Sequence, residues 1–87
     1  MDKNRIVKFK KKIDVTVLNG EKAMLDFNTG KYYIIKGVGN DIWDMLYEEV
    51  TVSEIIQKLL LEYDVSPEEC EKSVIEFLDK LEKADFI

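Results

Sequence analysis

The spacing of apolar residues divides the chain into two parts. Up to Lys36, apolar and polar side chains alternate with a period of two, which is typical of β-strands with one buried face. From Gly37 onward, apolar side chains recur every three or four residues, which is typical of amphipathic helices. The pattern predicts three strands, at 13–18, 23–27 and 31–35, followed by three helices.

Turn signals join the three strands into a meander. Asn19 and Gly20 predict a two-residue hairpin because both residues tolerate a positive φ. The segment Asn28-Thr29-Gly30 predicts a second turn for the same reason. Two tight hairpins place the third strand at one edge of the sheet, where its outer backbone N–H and C=O groups have no partner strand.

Capping signals mark the starts of the second and third helices. The sequence Thr-Val-Ser-Glu at 51–54 predicts a capping box, in which the Thr hydroxyl accepts a backbone N–H and the Glu side chain reaches back. Ser66 followed by Pro67 predicts an N-cap and a first helical residue. The first helix is predicted to begin at Val38 and to end near 47–49. The residues of the third helix expected to face the core are Cys70, Val74, Phe77, Leu78 and Leu81.

The order of elements predicts the fold class. Three strands and then three helices, joined by short connections, favour an α+β domain with helices on one face of a three-stranded antiparallel sheet. The short connection between the second and third helices is typical of a helix-turn-helix, so we expect a winged helix-turn-helix-like domain. We place this domain at 13–87 and expect a basic N-terminal arm or a short extra strand at 1–12.

The residue content excludes several kinds of chemistry. The 87-residue chain has no histidine and one cysteine, Cys70, so it offers no histidine-based acid–base pair, no intrachain disulfide and no usual zinc site. We therefore expect no catalytic activity, no cofactor and no metal. No apolar run approaches the ~20 residues of a membrane span, and the N-terminus does not resemble a signal peptide. These observations predict a cytoplasmic protein.

Charge is distributed unevenly along the chain. Residues 1–36 contain nine basic and four acidic residues, whereas residues 37–87 contain four basic and 14 acidic residues. A winged-helix DNA-binding transcription regulator would share the order of elements, but its recognition helix should be basic. The acidic helices of this chain argue against that alternative.

The ordered motifs resemble the PqqD-like family, also called RiPP precursor recognition elements, over residues 13–87. RiPPs are ribosomally made peptides that enzymes then modify. The more specific part of the resemblance is the succession of a Thr-Gly hairpin, Gly-x-x-Ile-Trp, Thr-Val-x-Glu-Ile and Phe-Leu-x-x-Leu. The matching residues are Leu25, Asp26, Thr29, Gly30, Tyr32, Tyr33, Ile35, Gly39, Ile42, Trp43, Leu46, Thr51, Val52, Glu54, Ile55, Leu59, Tyr63, Val74, Phe77, Leu78, Leu81 and Ile87.

The resemblance implies that the protein binds the leader segment of a precursor peptide. In this family the leader adds as a further strand to the third strand and lies in a groove against the third helix. Backbone hydrogen bonds then give affinity, and pockets for alternate side chains give specificity. The family's apolar positions favour Tyr33 and Ile35 as core residues, with Tyr32 and Ile34 on the opposite face of the strand.

The helix side of the expected groove follows from the helical spacing and from the family. Ile75 lies off the core stripe and beside Leu78, so these two residues are expected to form the groove wall, unless Ile75 is a singly exposed apolar residue. Glu71 and Glu82 could meet basic leader residues or be solvated helix charges. The predicted peptide-binding residues are Lys31, Tyr32, Tyr33, Ile34 and Ile35 on the strand and Glu71, Val74, Ile75, Leu78 and Glu82 on the helix.

The resemblance also implies the partners. The protein would act as a non-catalytic peptide chaperone that delivers the precursor to a modifying enzyme. Lasso-peptide biosynthesis, with a leader peptidase and a cyclase, is the first expectation. Pyrroloquinoline quinone biosynthesis, with a radical-SAM enzyme, is the second. We expect no nucleic acid and no membrane as partner, and the open strand edge allows a monomer or a homodimer.

Overall fold

The computed structural model describes residues 1–26 and 29–87, so the predicted turn residue Asn28 lies outside the described residues. Within them the chain forms two small antiparallel sheets and three helices, the α+β arrangement that the sequence predicts. The elements are β1 (Ile6–Val7), β2 (Thr16–Leu18), β3 (Glu21–Asp26), β4 (Lys31–Ile35), α1 (Val38–Met45), β5 (Val50–Thr51), α2 (Val52–Glu62) and α3 (Pro67–Lys83).

Strands β2, β3 and β4 form the predicted meander and lie in that spatial order. Asn19 and Gly20 have φ angles of 53° and 79°, as a two-residue hairpin turn requires. β4 has its predicted bounds and is an edge strand. Its two faces are as predicted, because Ile35 is buried and Tyr33 packs against the core, whereas Ile34 is 57% exposed.

The first predicted strand is wrong in its extent. β2 has only three residues, and its side chains are exposed rather than half-buried. Pairing with β3 is confined to residues 16–18, and before this segment the Lys10 N–H donates to the Phe86 carbonyl oxygen at 2.9 Å. Ile13 and Val15 therefore pack against the core from outside the sheet.

The N-terminal arm is part of the fold. Its strand β1 pairs with β5, with Ile6 opposite Thr51. The sequence pattern did not predict this pairing. Further along the arm, the Phe9 N–H donates to the Leu46 carbonyl oxygen at 3.0 Å. The Phe9 ring also packs against Trp43, with 4.6 Å between ring centroids. The arm is thus tied both to α1 and to the start of α2.

Both predicted helix caps are present. The Glu54 N–H donates to Thr51 Oγ1 and the Thr51 N–H donates to Glu54 Oε1, each at 3.1 Å, so the capping box at α2 is complete. At α3, Ser66 Oγ accepts the Glu69 N–H at 3.2 Å, and Pro67 is the first helical residue. These caps satisfy N–H groups that a helix start otherwise leaves without an intrahelical partner.

A single apolar core lies between the helices and the inner face of the meander. Trp43 is fully buried, and its indole N–H donates to Tyr47 Oη at 3.0 Å. Cys70 is buried as well, as predicted for a small core residue. The largest fully buried side chains are Trp43, Ile42, Leu46, Ile55, Leu59, Leu78, Val52 and Val74.

Two further observations concern the described residues as a set. None of their helices combines the length and the apolar character needed to cross a membrane. They also contain no group of three or more His, Cys, Asp or Glu side chains placed to hold a metal ion.

Candidate functional site

An open cleft of about 530 Å³ runs between β4 and the C-terminal half of α3. Its volume lies within the range of ligand-binding clefts. We call it the β4–α3 groove. The residues that line it are Met24, Lys31, Tyr33, Ile34, Ile35, Lys36, Gly39, Trp43, Phe77, Lys80, Leu81, Lys83, Ala84 and Phe86.

One wall of the groove is the free edge of β4. The two-residue turn after β2 makes Leu18 and Glu21 a hydrogen-bonded pair, and hydrogen-bonded and non-hydrogen-bonded pairs then alternate along the strands. Because the register is constant, the backbone N–H and C=O groups of Tyr33 form hydrogen bonds with β3. The N–H and C=O groups of Tyr32 and Ile34 point away from β3, toward the free edge. No other strand of the described residues pairs with this edge.

The opposite wall and the floor of the groove are apolar. Phe77, Leu81 and Ala84 come from α3 and its C-terminal end, and Trp43 and Phe86 contribute from the core. The Phe86 ring meets Trp43 edge-on, with 6.2 Å between ring centroids. The groove can therefore bury an apolar side chain of a peptide that lies along β4.

Gly39 lets the first turn of α1 approach this floor closely. A Cβ at this position would lie 2.9 Å from Phe77 Cε2 and 3.4 Å from Ile35 Cγ2. A larger residue would push against the Phe77 ring and change the shape of the groove.

The rim of the groove is basic. Lys31 and Lys36 lie at the two ends of β4, and Lys80 and Lys83 lie on α3. The lining residues include no aspartate or glutamate. The groove thus combines an apolar floor with positive charge on its rim.

The shifted pKa values belong to groups outside the groove lining. The Tyr63 hydroxyl donates to Asp41, which raises the pKa of the phenol. Lys10 donates to Asp85 Oδ1 at 2.5 Å and lowers the pKa of that carboxyl. Burial raises the pKa of the Cys70 thiol, which favours its neutral form. Each shift has a structural cause that requires no ligand.

The structure places four of the five predicted strand residues in the groove. Lys31, Tyr33, Ile34 and Ile35 line it. Tyr32 is 64% exposed on the outer face of the sheet and does not line it, although its backbone faces the free edge.

The five predicted residues of α3 do not line this cleft, and their role in peptide binding stays a prediction. Val74 and Leu78 are completely buried core residues. Glu71 Oε1 lies 3.4 Å from Lys3 Nζ, and Glu82 forms an ion pair with Arg5. Ile75 is half-buried and does not line the groove either.

The N-terminal arm lies beside the flank of α3 that carries the two ion-paired glutamates. The groove lies on the other flank of the helix. Sequence reasoning missed the residues that line it there. Helical spacing places Phe77 on the core stripe. The sequence signal for this flank is the pair of basic residues in the last turn of α3, Lys80 and Lys83.

Comparisons with known proteins point to one family. The family model for coenzyme PQQ synthesis protein D (PqqD) matches residues 21–87. A solved structure described as TbiB1 in complex with the TbiA(beta) leader peptide is similar to this chain, with a TM-score of 0.78 and 26% sequence identity. The similarity covers 92% of this chain and 93% of TbiB1. No curated protein matches the sequence.

Proposed function

This chain belongs to the PqqD family, and from that premise we propose that it is a non-catalytic protein that binds the leader segment of a ribosomal precursor peptide. The leader adds as a strand to β4 and lies in the β4–α3 groove. The protein then presents the precursor to a modifying enzyme of RiPP biosynthesis. Similarity to TbiB1, a protein solved in complex with a leader peptide, supports this proposal.

The observation that carries the proposal is the free edge of β4 beside an apolar cleft. A strand added there can pair with the outward N–H and C=O groups of Tyr32 and Ile34. Such backbone pairing tolerates many sequences, and the cleft selects side chains at alternate positions. The groove therefore has what a leader-binding site needs without any catalytic group.

Binding the leader would act by raising the local concentration of the precursor at the enzyme. Two pathway classes would use such a protein. We place lasso-peptide biosynthesis first, with a leader peptidase and a cyclase as partners. Pyrroloquinoline quinone biosynthesis, which the family's description names, comes second, with a radical-SAM enzyme as partner. Co-purification with each class of enzyme in the presence of the precursor separates the two.

The DNA-binding alternative gains no support from the comparisons. The helix α3 would be the recognition helix of a winged-helix protein. It carries six acidic and three basic residues, whereas a helix that enters a groove of DNA needs a basic surface.

The strand-addition proposal is tested by placing proline on each edge of the sheet. Ile34→Pro removes an outward N–H from β4 without removing a hydrogen bond to β3. Val17→Pro is the matched control, because Val17 is 64% exposed and its N–H points outward from β2, the other edge strand. Affinity is measured by calorimetry with a synthetic peptide of the N-terminal half of the precursor encoded beside the gene.

We expect Ile34→Pro to weaken binding of this leader peptide at least tenfold, or about 1.4 kcal/mol. Val17→Pro should change the affinity less than about twofold, or ~0.4 kcal/mol. Circular dichroism establishes that both variants are folded. Equal affinities of the two folded variants would contradict strand addition at β4.

A further inference from the structure

The basic rim stands out against the charge of the whole chain. The protein has a net charge of −5, yet the lining of the β4–α3 groove contains four lysines and no acidic residue. These lysines, which we call the rim lysines, are Lys31, Lys36, Lys80 and Lys83.

The rim lysines surround the groove rather than mark one side of it. Lys31 begins β4 and Lys36 directly follows it, so at about 3.3 Å per residue they lie roughly 16 Å apart along the edge. Lys80 and Lys83 lie on the facing helix. A strand of five or six residues on β4 would thus have positive charge at both ends and along its far side.

The fold uses other basic residues for its own ion pairs. Lys3, Arg5, Lys10 and Lys22 each form an ion pair with an acidic side chain of the chain. Among the ion pairs of the side chains that the structure describes, which do not include Asp26, the register partner of Lys31, none involves a rim lysine.

Two rim lysines have a structural role as well. Lys80 and Lys83 lie in the last turn of α3, where a positive charge stabilises the helix dipole. Lys31 and Lys36 have no such role, because they lie at the ends of a strand. Glu76 lines a smaller adjoining cleft together with Lys36 and Lys80, so one carboxylate lies near the rim without entering the main groove.

We propose that the leader segment recognised by this protein is acidic: an apolar anchor residue flanked by Asp or Glu on both sides. This inference rests on the proposed function and specifies its substrate. The anchor fills the floor formed by Trp43, Phe77 and Phe86, and the flanking carboxylates pair with the rim lysines. It reverses the expectation from the sequence that Glu71 and Glu82 meet basic leader residues, because those glutamates are held by Lys3 and Arg5.

Charge reversal on the protein tests the inference. Lys36→Glu combined with Lys80→Glu changes two rim lysines that both contact the groove and its adjoining cleft. Lys8→Glu combined with Lys72→Glu is the matched control, since both lysines are exposed and line neither the groove nor its adjoining cleft. The two double variants have the same net charge. The probe is the synthetic leader half of the precursor encoded beside the gene, titrated at low and at high NaCl.

We expect the rim variant to bind the leader at least tenfold more weakly than the control variant at about 50 mM NaCl, with the difference shrinking at about 500 mM because salt screens exposed charges. A second leader, with every Asp and Glu replaced by Asn and Gln, should bind the wild-type protein about as weakly as the native leader binds the rim variant. Thermal unfolding of both variants shows whether the loss of the helix-terminal charge at Lys80 affects the fold.

The outcomes separate the two proposals. Equal leader affinity of the rim and control variants overturns the acidic-leader inference, as does a native leader without acidic residues that binds in the groove. In both cases strand addition at β4 stands. If the native leader does not bind the wild-type protein at all, the proposed function fails and the inference fails with it.

Discussion

The two flanks of α3 differ in what covers them. On one flank the chain's own N-terminal arm lies beside the helix, with Lys3 paired to Glu71 and Arg5 paired to Glu82. On the other flank the helix faces the edge of β4 across an open groove. We call these the covered flank and the open flank.

The strands β5 and β4 also differ in whether another segment of the chain covers an edge. β5 is paired on one edge with β1, a strand of the N-terminal arm. Next to the open flank, the outer edge of β4 pairs with no strand of the described residues. The comparison supports the proposal that a peptide adds at β4: the arm already supplies a strand that pairs with β5, whereas the outer edge of β4 has no partner strand among the described residues.

The largest effects should separate two neighbouring residues of α3. Leu78 is completely buried in the core, so Leu78→Ala should cost about 2–5 kcal/mol of stability. Phe77 lines the open groove, so Phe77→Ala should weaken leader binding about tenfold or more, with a smaller loss of stability. Thermal unfolding and calorimetry with the leader peptide measure the two quantities. If a folded Phe77→Ala variant binds the leader peptide with wild-type affinity, Phe77 is not part of the binding site.

A substitution on the covered flank should leave binding unchanged. Ile75→Asp introduces a charge one turn from Glu71 and from Asp79, and like charges at this spacing destabilise a helix by about 0.2–0.5 kcal/mol per pair. We expect a modest decrease in melting temperature and leader affinity within about twofold of wild type, or ~0.4 kcal/mol. A large decrease in leader affinity would show that Ile75 contributes to the binding site, as the sequence analysis predicts.

The smallest expected effect is the pH dependence of stability that comes from the capping box of α2. Glu54 accepts hydrogen bonds from the Thr51 backbone N–H and hydroxyl, and these lower the pKa of its carboxyl from its ordinary value of 4.5. A lowered folded-state pKa means that the stabilisation is complete above the unfolded pKa and is lost as pH falls through the folded one.

Glu54→Gln should therefore melt below the wild-type protein at neutral pH, and the difference should shrink as the pH falls through the lowered pKa of the Glu54 carboxyl. The cap precedes Val52 and Ser53, whose N–H groups donate to the Arg5 and Lys3 carbonyl oxygens at 3.0 and 2.9 Å. The test thus concerns the start of α2, to which the arm is hydrogen-bonded. A melting difference that persists unchanged at low pH would show that the charge of Glu54 does not contribute.

Sequence reasoning succeeded where structure depends on neighbouring residues. The hairpin at Asn19 and Gly20, the capping box at 51–54 and the helix start at Ser66 are encoded within a few residues, and all are present. The bounds of β4 and its edge position followed from the order of turns.

It failed where structure depends on contacts between distant segments. The pairing of β1 with β5 joins residues 6–7 to residues 50–51, and no local sequence pattern predicts it. Helical spacing identifies the buried stripe of α3 but not which flank the arm covers. Helical spacing alone therefore does not distinguish the flank with the ion-paired glutamates from the flank with Phe77 and Lys80, which line the groove.

The most direct test of strand addition on the open flank is an amide-resolved NMR titration with the leader half of the precursor encoded beside the gene. The account predicts chemical-shift changes concentrated at Lys31–Ile35 and at 77–84, with little change at Lys3, Arg5 or Glu71. Changes concentrated on the covered flank would contradict it. So would no response to the leader together with a response to duplex DNA at the basic arm.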